Sequence, residues 1–518
     1  MDRIEIRKDT YFDSVFLMAA SAELGRTPGL LSGYVVLATD QNRDLLAAQG
    51  FDPARLEGLG ATDLVIALRA DDETALEQAA ARAGALLSTG ARAVSSGSGE
   101  QRPVGLDGGL AALPDANLAL ISVPGEYAAF EAHKALTRGL HVMLFSNNVS
   151  LEDEVALKER ASKLGLLVMG PDCGTALVGG LPLGFANRVR PGRLGLVGAS
   201  GTGLQEVSCQ LHRLGSGVTH ILGTGGRDLK SAVGARTMLA AIQMLARDPE
   251  TRALVVVSKP PAREVAERVL STLAGLDKPS VVCFLGDAET DSGSEKVHRA
   301  GSLAEAAWLA HCLASGKDPT STFRHEPMRV DGPGLVARMA PQQRWLWGLF
   351  TGGTLGGEAL SILRRNLGPE RVRSNLAPPD PEPTGESHTV LDLGDDVYTR
   401  GRPHPMIDPT PRGELIVERG ADPRTAVLLL DVVLGHGSHP DPGGAAAEAV
   451  AAARRANPGL VVLASITGTD QDPQGLDGQR AALERAGVQV LPSNAAAATI
   501  AVRLIEGIEK RRAERSNP

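Results

Sequence analysis

The sequence is poor in cysteine, and its cysteines form none of the patterns that bind metals. Cys173, Cys209, Cys283 and Cys312 make no Cys-x-x-Cys pair and no spacing typical of a metal site. Isolated cysteines of this kind are typical of a reducing compartment, where each is by default a small buried hydrophobic residue. We therefore expect a cytoplasmic protein that has no metal centre.

Long apolar runs and an excess of positive charge are missing as well. No stretch approaches the length of about eighteen apolar residues that a membrane span needs, and the opening "MDRIEIRKDTYFDSV" lacks the apolar core of a secretion signal. The net charge of -8 gives no reason to expect nucleic acid or an anionic membrane as a partner. These absences predict a soluble protein that acts on small molecules or on other proteins.

What the chain does contain is a long alternation of apolar strands and helices. With 518 residues it is too long for one hydrophobic core, and its 60 glycines and 32 prolines indicate many tight turns between short elements. A strand at 63–70 precedes a helix at 71–88, and a strand at 116–124 precedes a helix at 126–139. This order is typical of α/β proteins, so we predict several parallel-sheet units of the Rossmann or flavodoxin type.

Two glycine-rich turns have the same form. "LGLVGASGTGLQEV" (194–207) and "LWGLFTGGTLGGEALSIL" (346–363) each join an apolar strand to a helix through small residues. Neither is a GxxxxGK[ST] phosphate loop, because no lysine follows, and neither is a GxGxxG dinucleotide fingerprint. A helix N-terminus has unpaired N–H groups and the positive end of the helix dipole, so each turn is either a candidate anion site or merely a tight connection. The candidate phosphate ligands are Ser200, Gly201, Thr202 and Gly203 in the first turn, and Gly352, Gly353 and Thr354 in the second.

The segments that follow the two turns also correspond. Each turn is followed by a helix ending in Asp-Pro, then a buried strand, then a strand closed by a glycine and an acidic turn. The separation between corresponding residues grows from 151 (Ser200 to Thr351) to 182 (Gly286 to Gly468), so the second copy contains insertions. The pattern predicts a duplicated domain.

Three polar loops carry further candidates. The segment 394–408, "GDDVYTRGRPHPMID", is either a solvated loop or a source of catalytic groups, and we select Asp396 and His404 from it. In "GHGSHPDP" (435–442), His436 is a candidate general base or substrate contact, because the prolines disfavour a two-histidine metal site. Strand ends at the carboxyl edge of open α/β sheets bind ligands, which points to Thr469 and Asp470.

The motifs around the first turn resemble a known family. "ALISVPGEYAAFEAHKAL", "VMGPDCGTAL", "RLGLVGASGTGLQEV" and "ILGTGGRDLKS", within residues 116–315, are similar to the α subunit of succinyl-CoA synthetase. The C-terminal copy resembles the ligase domain of the β subunit, and the whole chain resembles the FdrA family of acyl-CoA synthetases. The resemblance implies a CoA-binding-like Rossmann domain at 1–190 and two ligase-type domains at 191–320 and 335–518. It also implies that Gly225, Gly226 and Arg227 border the active site.

The sequence departs from the synthetases in two places. Their phosphorylated histidine lies in a Gly-His-Ala-Gly loop, but here "VVCFLG" is followed by "DAETDSGSEKVHRAGS", where His298 stands in a different context. The ATP-grasp half of the β subunit has no counterpart in this chain. We therefore expect chemistry that uses free phosphate or an acyl phosphate directly, and CoA stays an open cofactor.

The FdrA resemblance implies one particular activity. Its members are components of a carbamoyltransferase that acts with partner proteins in anaerobic purine-ureide breakdown. The implied reaction converts oxalurate and phosphate into oxamate and carbamoyl phosphate. Two alternatives stay open: an acyl-CoA ligase subunit that borrows its ATP module from a partner, and a scaffold without catalytic activity.

Overall fold

The computed structural model describes most of the chain, and the ranges below refer to that part. The residues outside the description are 11, 13, 26, 96–102, 104, 287–292, 320–322, 324–329, 377–385, 400–402 and 517–518. The description also omits the side chains of residues 14, 15, 19, 22, 41, 89–95, 396 and 516. The chain divides into two units, one of Met1–Gly109 with Asp395–Asp408 and one of Leu110–Gly394 with Pro409–Pro518.

The first unit is built on an antiparallel sheet of three strands in the order β1-β3-β2. Alternate residues of β3 face opposite sides: Leu64, Ile66 and Leu68 join a core with α1 and α3, while Val65 and Ala67 join a second core. The elements up to residue 112 are β1 (Asp2–Arg7), α1 (Ser14–Leu24), β2 (Leu30–Leu37), α2 (Asp40–Ala48), β3 (Leu64–Ala70), α3 (Glu73–Ser95) and α4 (Leu106–Ala112).

This architecture corrects the expected Rossmann-like domain at 1–190. A strand, a helix and a second strand in sequence do not by themselves distinguish a parallel pair from an antiparallel one, and here β2 and β3 are antiparallel. The parallel part of that region belongs to the second unit as a separate sheet, in the order β4-β5-β6. Its elements are β4 (Leu118–Ile121), α5 (Gly125–Thr137), β5 (His141–Leu144), α6 (Leu151–Leu164) and β6 (Val168–Met169).

The second unit also contains a seven-stranded sheet in the order β13-β12-β11-β9-β10-β7-β8. Because β7 pairs with β10, this sheet begins before residue 191, the expected boundary. Its elements are β7 (Thr175–Val178), β8 (Leu181–Gly184), β9 (Pro191–Ala199), α7 (Gly201–Arg213), β10 (Val218–Gly223), α8 (Arg236–Arg247), β11 (Ala253–Ser258), α9 (Arg263–Ala274), β12 (Ser280–Phe284), β13 (Val297–Arg299) and α10 (Leu303–Ser315).

A six-stranded parallel sheet follows, in the order β19-β18-β17-β14-β16-β15. The remaining elements are α11 (Gly332–Arg338), β14 (Trp345–Phe350), α12 (Gly353–Leu367), β15 (Val372–Ser374), β16 (His388–Asp392), α13 (Asp396–Thr399), α14 (Thr410–Ala421), β17 (Thr425–Val433), α15 (Pro442–Ala456), β18 (Val461–Thr467), α16 (Leu476–Arg485), β19 (Gln489–Leu491) and α17 (Asn494–Ser516). Of these, α13 belongs to the first unit.

The two large sheets repeat one strand order. The strand that leads into the glycine-rich turn lies between β11 and β10 in the first sheet and between β17 and β16 in the second. Thus β9 corresponds to β14, β10 to β16 and β11 to β17, and the edge strand β15 has no counterpart in the first copy. The central strand β17 is buried along all nine residues, because helices cover both faces of a parallel sheet. The predicted α/β class with parallel sheets is confirmed, and the shared order is what a duplication requires.

Candidate functional site

The two glycine-rich turns lie against each other. Ser200 is the N-cap of α7 and Gly352 is the N-cap of α12. The Oγ of Ser200 lies 2.7 Å from the Oγ1 of Thr354, and a Cβ placed on Gly352 would lie 2.9 Å from the Oγ1 of Thr202. The N-cap residue of each helix therefore touches the second residue of the other. This reciprocity aligns Ser200 with Gly352, one position beyond the Thr351 that the sequence repeat suggested.

Close approach explains the glycine at position 203. A Cβ on Gly203 would overlap the Oγ of Ser200 and lie 3.0 Å from both the Cγ2 of Thr354 and the Cγ1 of Val257. Ser200 and Thr354 are themselves buried, with 7% and 3% of their surface exposed. Only a residue without a side chain lets the two helix ends meet at this distance.

The first three amides of α7 come before the first hydrogen bond of the helix, so they have no acceptor within the helix. The first such bond runs from the N–H of Leu204 to the carbonyl of Ser200, at 3.0 Å. In the described part of the chain, no carboxylate bonds to the amides of Gly201, Thr202 or Gly203. Together with the positive end of the helix dipole, these donors favour an anion at this end of α7.

The N-terminus of α12 is different, because a carboxylate of the protein binds the two amides that precede its first turn. Asp431, fully buried at the end of β17, accepts bonds from the N–H groups of Thr351 at 2.9 Å and Gly352 at 2.8 Å. The buried guanidinium of Arg412 lies 3.4 Å from the same carboxylate. The amide of Gly352, a predicted phosphate ligand, is therefore already bonded to Asp431.

A lysine and a second carboxylate lie against the first residue of α12. A Cβ on Gly353 would overlap the Oδ2 of Asp392 and lie 3.1 Å from the Nζ of Lys259. Asp392 ends β16 and is 6% exposed, whereas Lys259 directly follows β11 and is exposed. Sequence reasoning missed both residues. The available signal was a charged residue at the carboxyl end of a buried strand, where parallel sheets bind ligands.

Two of the predicted residues lie at the other end of α7. The Oδ1 of Asp470 is 2.7 Å from the Nε2 of His212, whose Nδ1 accepts a bond from the N–H of Arg190 at 3.1 Å. At 1.5 Å per residue, His212 is about 16 Å along the helix from Gly201. The hydroxyl of Thr469, which lies in the same loop, donates to the carbonyl of residue 188 at 2.6 Å. Thr469 and Asp470 therefore lie away from the N-terminal end of α7, and a role for them in ligand binding stays a prediction.

His436 lies beside the segment that leads into β9. Its N–H donates to the carbonyl of Ala186 at 2.8 Å, and its Nε2 accepts a bond from the Nε of Arg188 at 3.3 Å. Asn187 between them donates to Asp472 at 2.8 Å and accepts a bond from Gln205 of α7 at 3.0 Å. These contacts tie His436 to a structural junction, and a catalytic role for it stays a prediction.

The segment 225–227 has structural partners. A Cβ on Gly225, whose φ is +86°, would overlap the carbonyl oxygen of Pro171. Arg227 donates through Nε to Glu154 and through Nη2 to the carbonyl of Val149, both at 2.8 Å. The guanidinium that we expected beside the substrate is thus committed to α6 and to the loop before it. At Gly226 no backbone or side-chain atom approaches a placed Cβ closer than 3.8 Å, so nothing here assigns it a role.

His404 and Asp396 belong to the first unit. Burial lowers the pKa of His404 to about 4, and its Nδ1 accepts a bond from the N–H of Met406 at 3.2 Å. The imidazole is therefore neutral at pH 7 and a weak general base. Asp396 begins α13, and its side chain lies outside the described residues.

Two buried glutamates occupy equivalent places, six residues after each N-cap. Glu358 of α12 accepts bonds from the N–H of Leu303 at 2.7 Å and from the Nδ2 of Asn494 at 2.8 Å. Glu206 of α7 accepts bonds from Thr467 and Gln210. Burial, with a smaller contribution from the charge of Glu206, raises the pKa of Glu358 to about 7.

Burial raises the pKa of Cys173 to about 12, so its thiol is not an activated nucleophile.

Among the described residues, no group of three or more His, Cys, Asp or Glu side chains is placed to hold a metal ion. Within the same part of the chain, no helix combines the length and the apolar character that a membrane crossing requires.

Two family profiles match parts of the chain. A CoA-ligase family profile matches residues 349–504, and a profile described as "AllF, heavy metal-associated domain" matches residues 1–103. The chain is 26% identical to the α subunit of the ADP-forming succinate–CoA ligase of Methanothermobacter thermautotrophicus, over 43% of this chain and 72% of that subunit. For the α 2 subunit of Archaeoglobus fulgidus the identity is 27%, over 32% and 61%. The protein thus contains a CoA-ligase domain of the succinyl-CoA synthetase type.

The family follows from a longer match. The chain is 42% identical to the uncharacterized protein YahF of Escherichia coli (strain K12), over 95% of this chain and 96% of that protein. It belongs to the family of YahF. Among solved structures, a dinucleotide-forming acetyl-coenzyme A synthetase of Ca. Korarchaeum cryptofilum covers 78% of this chain and 85% of its own, with 15% identity and a TM-score of 0.31.

The N-terminal match raises the question of a heavy metal. Residues 1–103 contain no cysteine and no histidine, the ligand types that soft and borderline metal ions prefer. The donor set of residues 1–103 therefore does not fit a heavy-metal site.

Proposed function

We propose that this protein is a component of a carbamoyltransferase that moves a carbamoyl group between a ureido acid and inorganic phosphate. In the direction of phosphorolysis, an oxygen of HPO₄²⁻ attacks the terminal ureido carbonyl of oxalurate. The C–N bond to the oxamate nitrogen breaks, and the proton of the phosphate passes to that nitrogen. The products are oxamate and carbamoyl phosphate, so atoms and charge balance without ATP.

The meeting of the two helix ends, with Ser200 and Thr354 2.7 Å apart, is the observation that carries this proposal. The amides of Gly201, Thr202 and Gly203 and the hydroxyl of Thr202 form an anion-binding end on α7. Oriented amides suit this reaction because fixed dipoles need no reorganisation as charge develops on the carbonyl oxygen. Binding both reactants side by side adds the advantage of proximity.

The chemistry of the relatives is consistent with this proposal. The CoA ligases activate acids as acyl phosphates, and carbamoyl phosphate is an acyl phosphate in which an amino group replaces the alkyl group. His298, the histidine in the stretch where the synthetases have their phosphohistidine loop, forms part of strand β13. A direct reaction with phosphate requires no histidine carrier.

The second candidate is a subunit of an acyl-CoA synthetase, which the CoA-ligase match at residues 349–504 favours. In that case CoA and a partner with an ATP module complete the enzyme. In the carbamoyltransferase, partner subunits are also expected.

Phosphorus NMR separates the two candidates. The purified chain, alone and with the products of neighbouring genes, is given oxalurate and phosphate without ATP or CoA. A carbamoyl phosphate signal supports the carbamoyltransferase. Turnover that requires ATP, CoA and an acid assigns the protein to the ligases, and silence under both conditions refutes both candidates for these assemblies.

A further inference from the structure

We propose that the amino edge of the six-stranded sheet, where β14, β16 and β17 begin, binds the carboxylate of a small organic acid through Arg344, Trp345 and His388. The proposal is independent of the proposed function, because this edge lies at the other end of β14 from the helix junction. β14 begins at Trp345, and at about 3.3 Å per residue Trp345 is roughly 20 Å from the N-cap of α12.

Three buried hydrogen-bond donors at this edge have no acceptor in the described part of the chain. They are the Nε of Arg344, the Nε1 of Trp345 and the Nε2 of His388. A buried donor without an acceptor is destabilising, and native proteins pair nearly all such groups with protein atoms, water or a ligand. The protein therefore keeps three groups here that cost stability until something accepts their hydrogen bonds.

The three side chains are neighbours. The Cζ of Arg344 lies 4.7 Å from the centroid of the Trp345 ring, and the rings of Trp345 and His388 meet edge-on with centroids 5.4 Å apart. Thr425, whose buried hydroxyl also has no partner, pairs with Trp345 in the sheet. The register of β14 with β16, continued by two residues, brings the unpaired hydroxyl of Ser387 to the other side. The unpaired polar atoms thus form one group.

The imidazole of His388 is a donor at its open nitrogen. Its Nδ1 accepts a bond from the N–H of Leu346 at 3.2 Å, so Nδ1 carries no proton. Burial, with a smaller contribution from the charge of Arg371, lowers the pKa of His388 to about 4, so the ring is neutral at pH 7. A neutral imidazole then carries its single proton on Nε2. All three nitrogens are therefore donors, and their ligand must be an acceptor.

The charge of the group favours a ligand with one negative charge. The guanidinium of Arg344 stacks on Trp345 and, among the residues that the structure describes, has no carboxylate partner, whereas Arg371 is paired with Glu509. Because Trp345 and His388 are neutral, one uncompensated positive charge remains. A carboxylate balances that charge and has enough lone pairs to accept three hydrogen bonds. Phosphate, with nearly two negative charges at pH 7, would leave an excess.

Arg344 also provides the way in. Its side chain and that of Trp345 are partly exposed, whereas His388 is only 1% exposed. Rotation of the guanidinium away from the indole opens the donors to solvent, and its return adds a charge-assisted hydrogen bond to the bound acid. Because the donors lie below the surface, a small acid reaches them more readily than a carboxylate carried on another protein.

The test uses the fluorescence of tryptophan, of which the chain has three residues. Trp308→Phe removes the one that lies in α10 and leaves Trp345 and Trp347 as reporters. This variant of the full chain is titrated at pH 7 with sodium acetate or sodium phosphate, each replacing sodium chloride at constant ionic strength. We expect a saturable change of emission with acetate and none with phosphate.

Two further variants in the same background identify the groups. Arg344→Gln should weaken acetate binding at least about tenfold, because a hydrogen bond to a charged group is lost. Arg365→Gln, at an exposed arginine of α12, is the matched control and should bind acetate unchanged. Trp345→Phe keeps an aromatic ring without the N–H, and acetate should raise its urea midpoint less than it raises that of the parent. Circular dichroism and the midpoint without acetate establish that each variant is folded.

The outcomes are distinct. An emission that does not respond to acetate would mean that water satisfies the donors, and it would refute the site. Equal losses of affinity in Arg344→Gln and Arg365→Gln would refute the assigned group. A saturable response to phosphate without one to acetate would refute the carboxylate. None of these results bears on the phosphate site at α7.

Discussion

The junction between α7 and α12 leaves no room for a methyl group at Gly203. The Cβ of an alanine would overlap the Oγ of Ser200 and press on Thr354 and Val257 at 3.0 Å. To accommodate it, the hydroxyl of Ser200 must rotate and lose its bond to Thr354, or the two helix ends must separate. Gly203→Ala therefore perturbs the helix junction directly.

The magnitude follows from three contributions. A lost intramolecular hydrogen bond costs about 1 kcal/mol, and overpacking a well-packed site costs about 1–3 kcal/mol. Replacing a glycine within a helix by alanine gains about 0.5–1 kcal/mol. We expect Gly203→Ala to lower the free energy of unfolding by about 1–3 kcal/mol and to weaken phosphate binding.

Urea unfolding of matched variants measures this effect. Gly357→Ala, in α12, is the control, because nothing lies within 4 Å of a Cβ placed there. It should keep the helical gain alone and stabilise the chain by about 0.5–1 kcal/mol. Since the chain has two units, the comparison uses the midpoint of the same transition in each variant. If Gly203→Ala stabilises the protein as much as Gly357→Ala does, the described packing is wrong.

Three further predictions concern residues away from this contact. Burial raises the pKa of Glu358 from 4.5 to about 7, so the folded chain keeps a proton that the unfolded chain has released, and stability falls as the pH rises through this window. Glu358→Gln should remove that decline, a difference of about 2–3 kcal/mol between urea series at pH 5 and pH 8; an unchanged slope would contradict it. Lys158→Met should destabilise the fold by about 3–5 kcal/mol in the same assay, since the buried ammonium lies 2.8 Å from each of two buried carboxylates that would lose it. A neutral effect would mean that the carboxylates take up protons instead. Asp470→Ala should leave the phosphate affinity unchanged in calorimetry, because Asp470 bonds His212 at the far end of α7; a weaker affinity would return it to the phosphate site.

Local patterns allowed much of the fold to be predicted. The apolar run of β17 and the small-residue turns after β9 and β14 can be recognised from short stretches of sequence. A strand buried on both faces must be apolar, and a close helix contact needs glycine. The antiparallel sheet of the first unit was missed because strand-helix-strand order does not fix direction.

The electrostatics of the site could not be predicted in the same way. Asp431 accepts hydrogen bonds from the amides of a turn that precedes it by about 80 residues, and Asp470 bonds to a histidine more than 250 residues away. Such pairings depend on which strand ends become neighbours in the sheet. Asp470 and Asp392 look alike in sequence, as acidic residues near the end of a strand, yet only Asp392 lies against the helix junction.

The two helix ends differ in the carboxylates that bond to their amides. Each helix N-terminus carries the equivalent of about half a positive charge, so two of them in contact repel each other unless an anion compensates them. At α12, Asp431 accepts a bond from the N-cap amide of Gly352 and also lies 3.4 Å from the buried guanidinium of Arg412. At α7, the N-cap Ser200 makes no side-chain cap hydrogen bond, and no described carboxylate bonds the amides of Gly201, Thr202 or Gly203. Under the proposed function, phosphate is the anion that compensates this helix end.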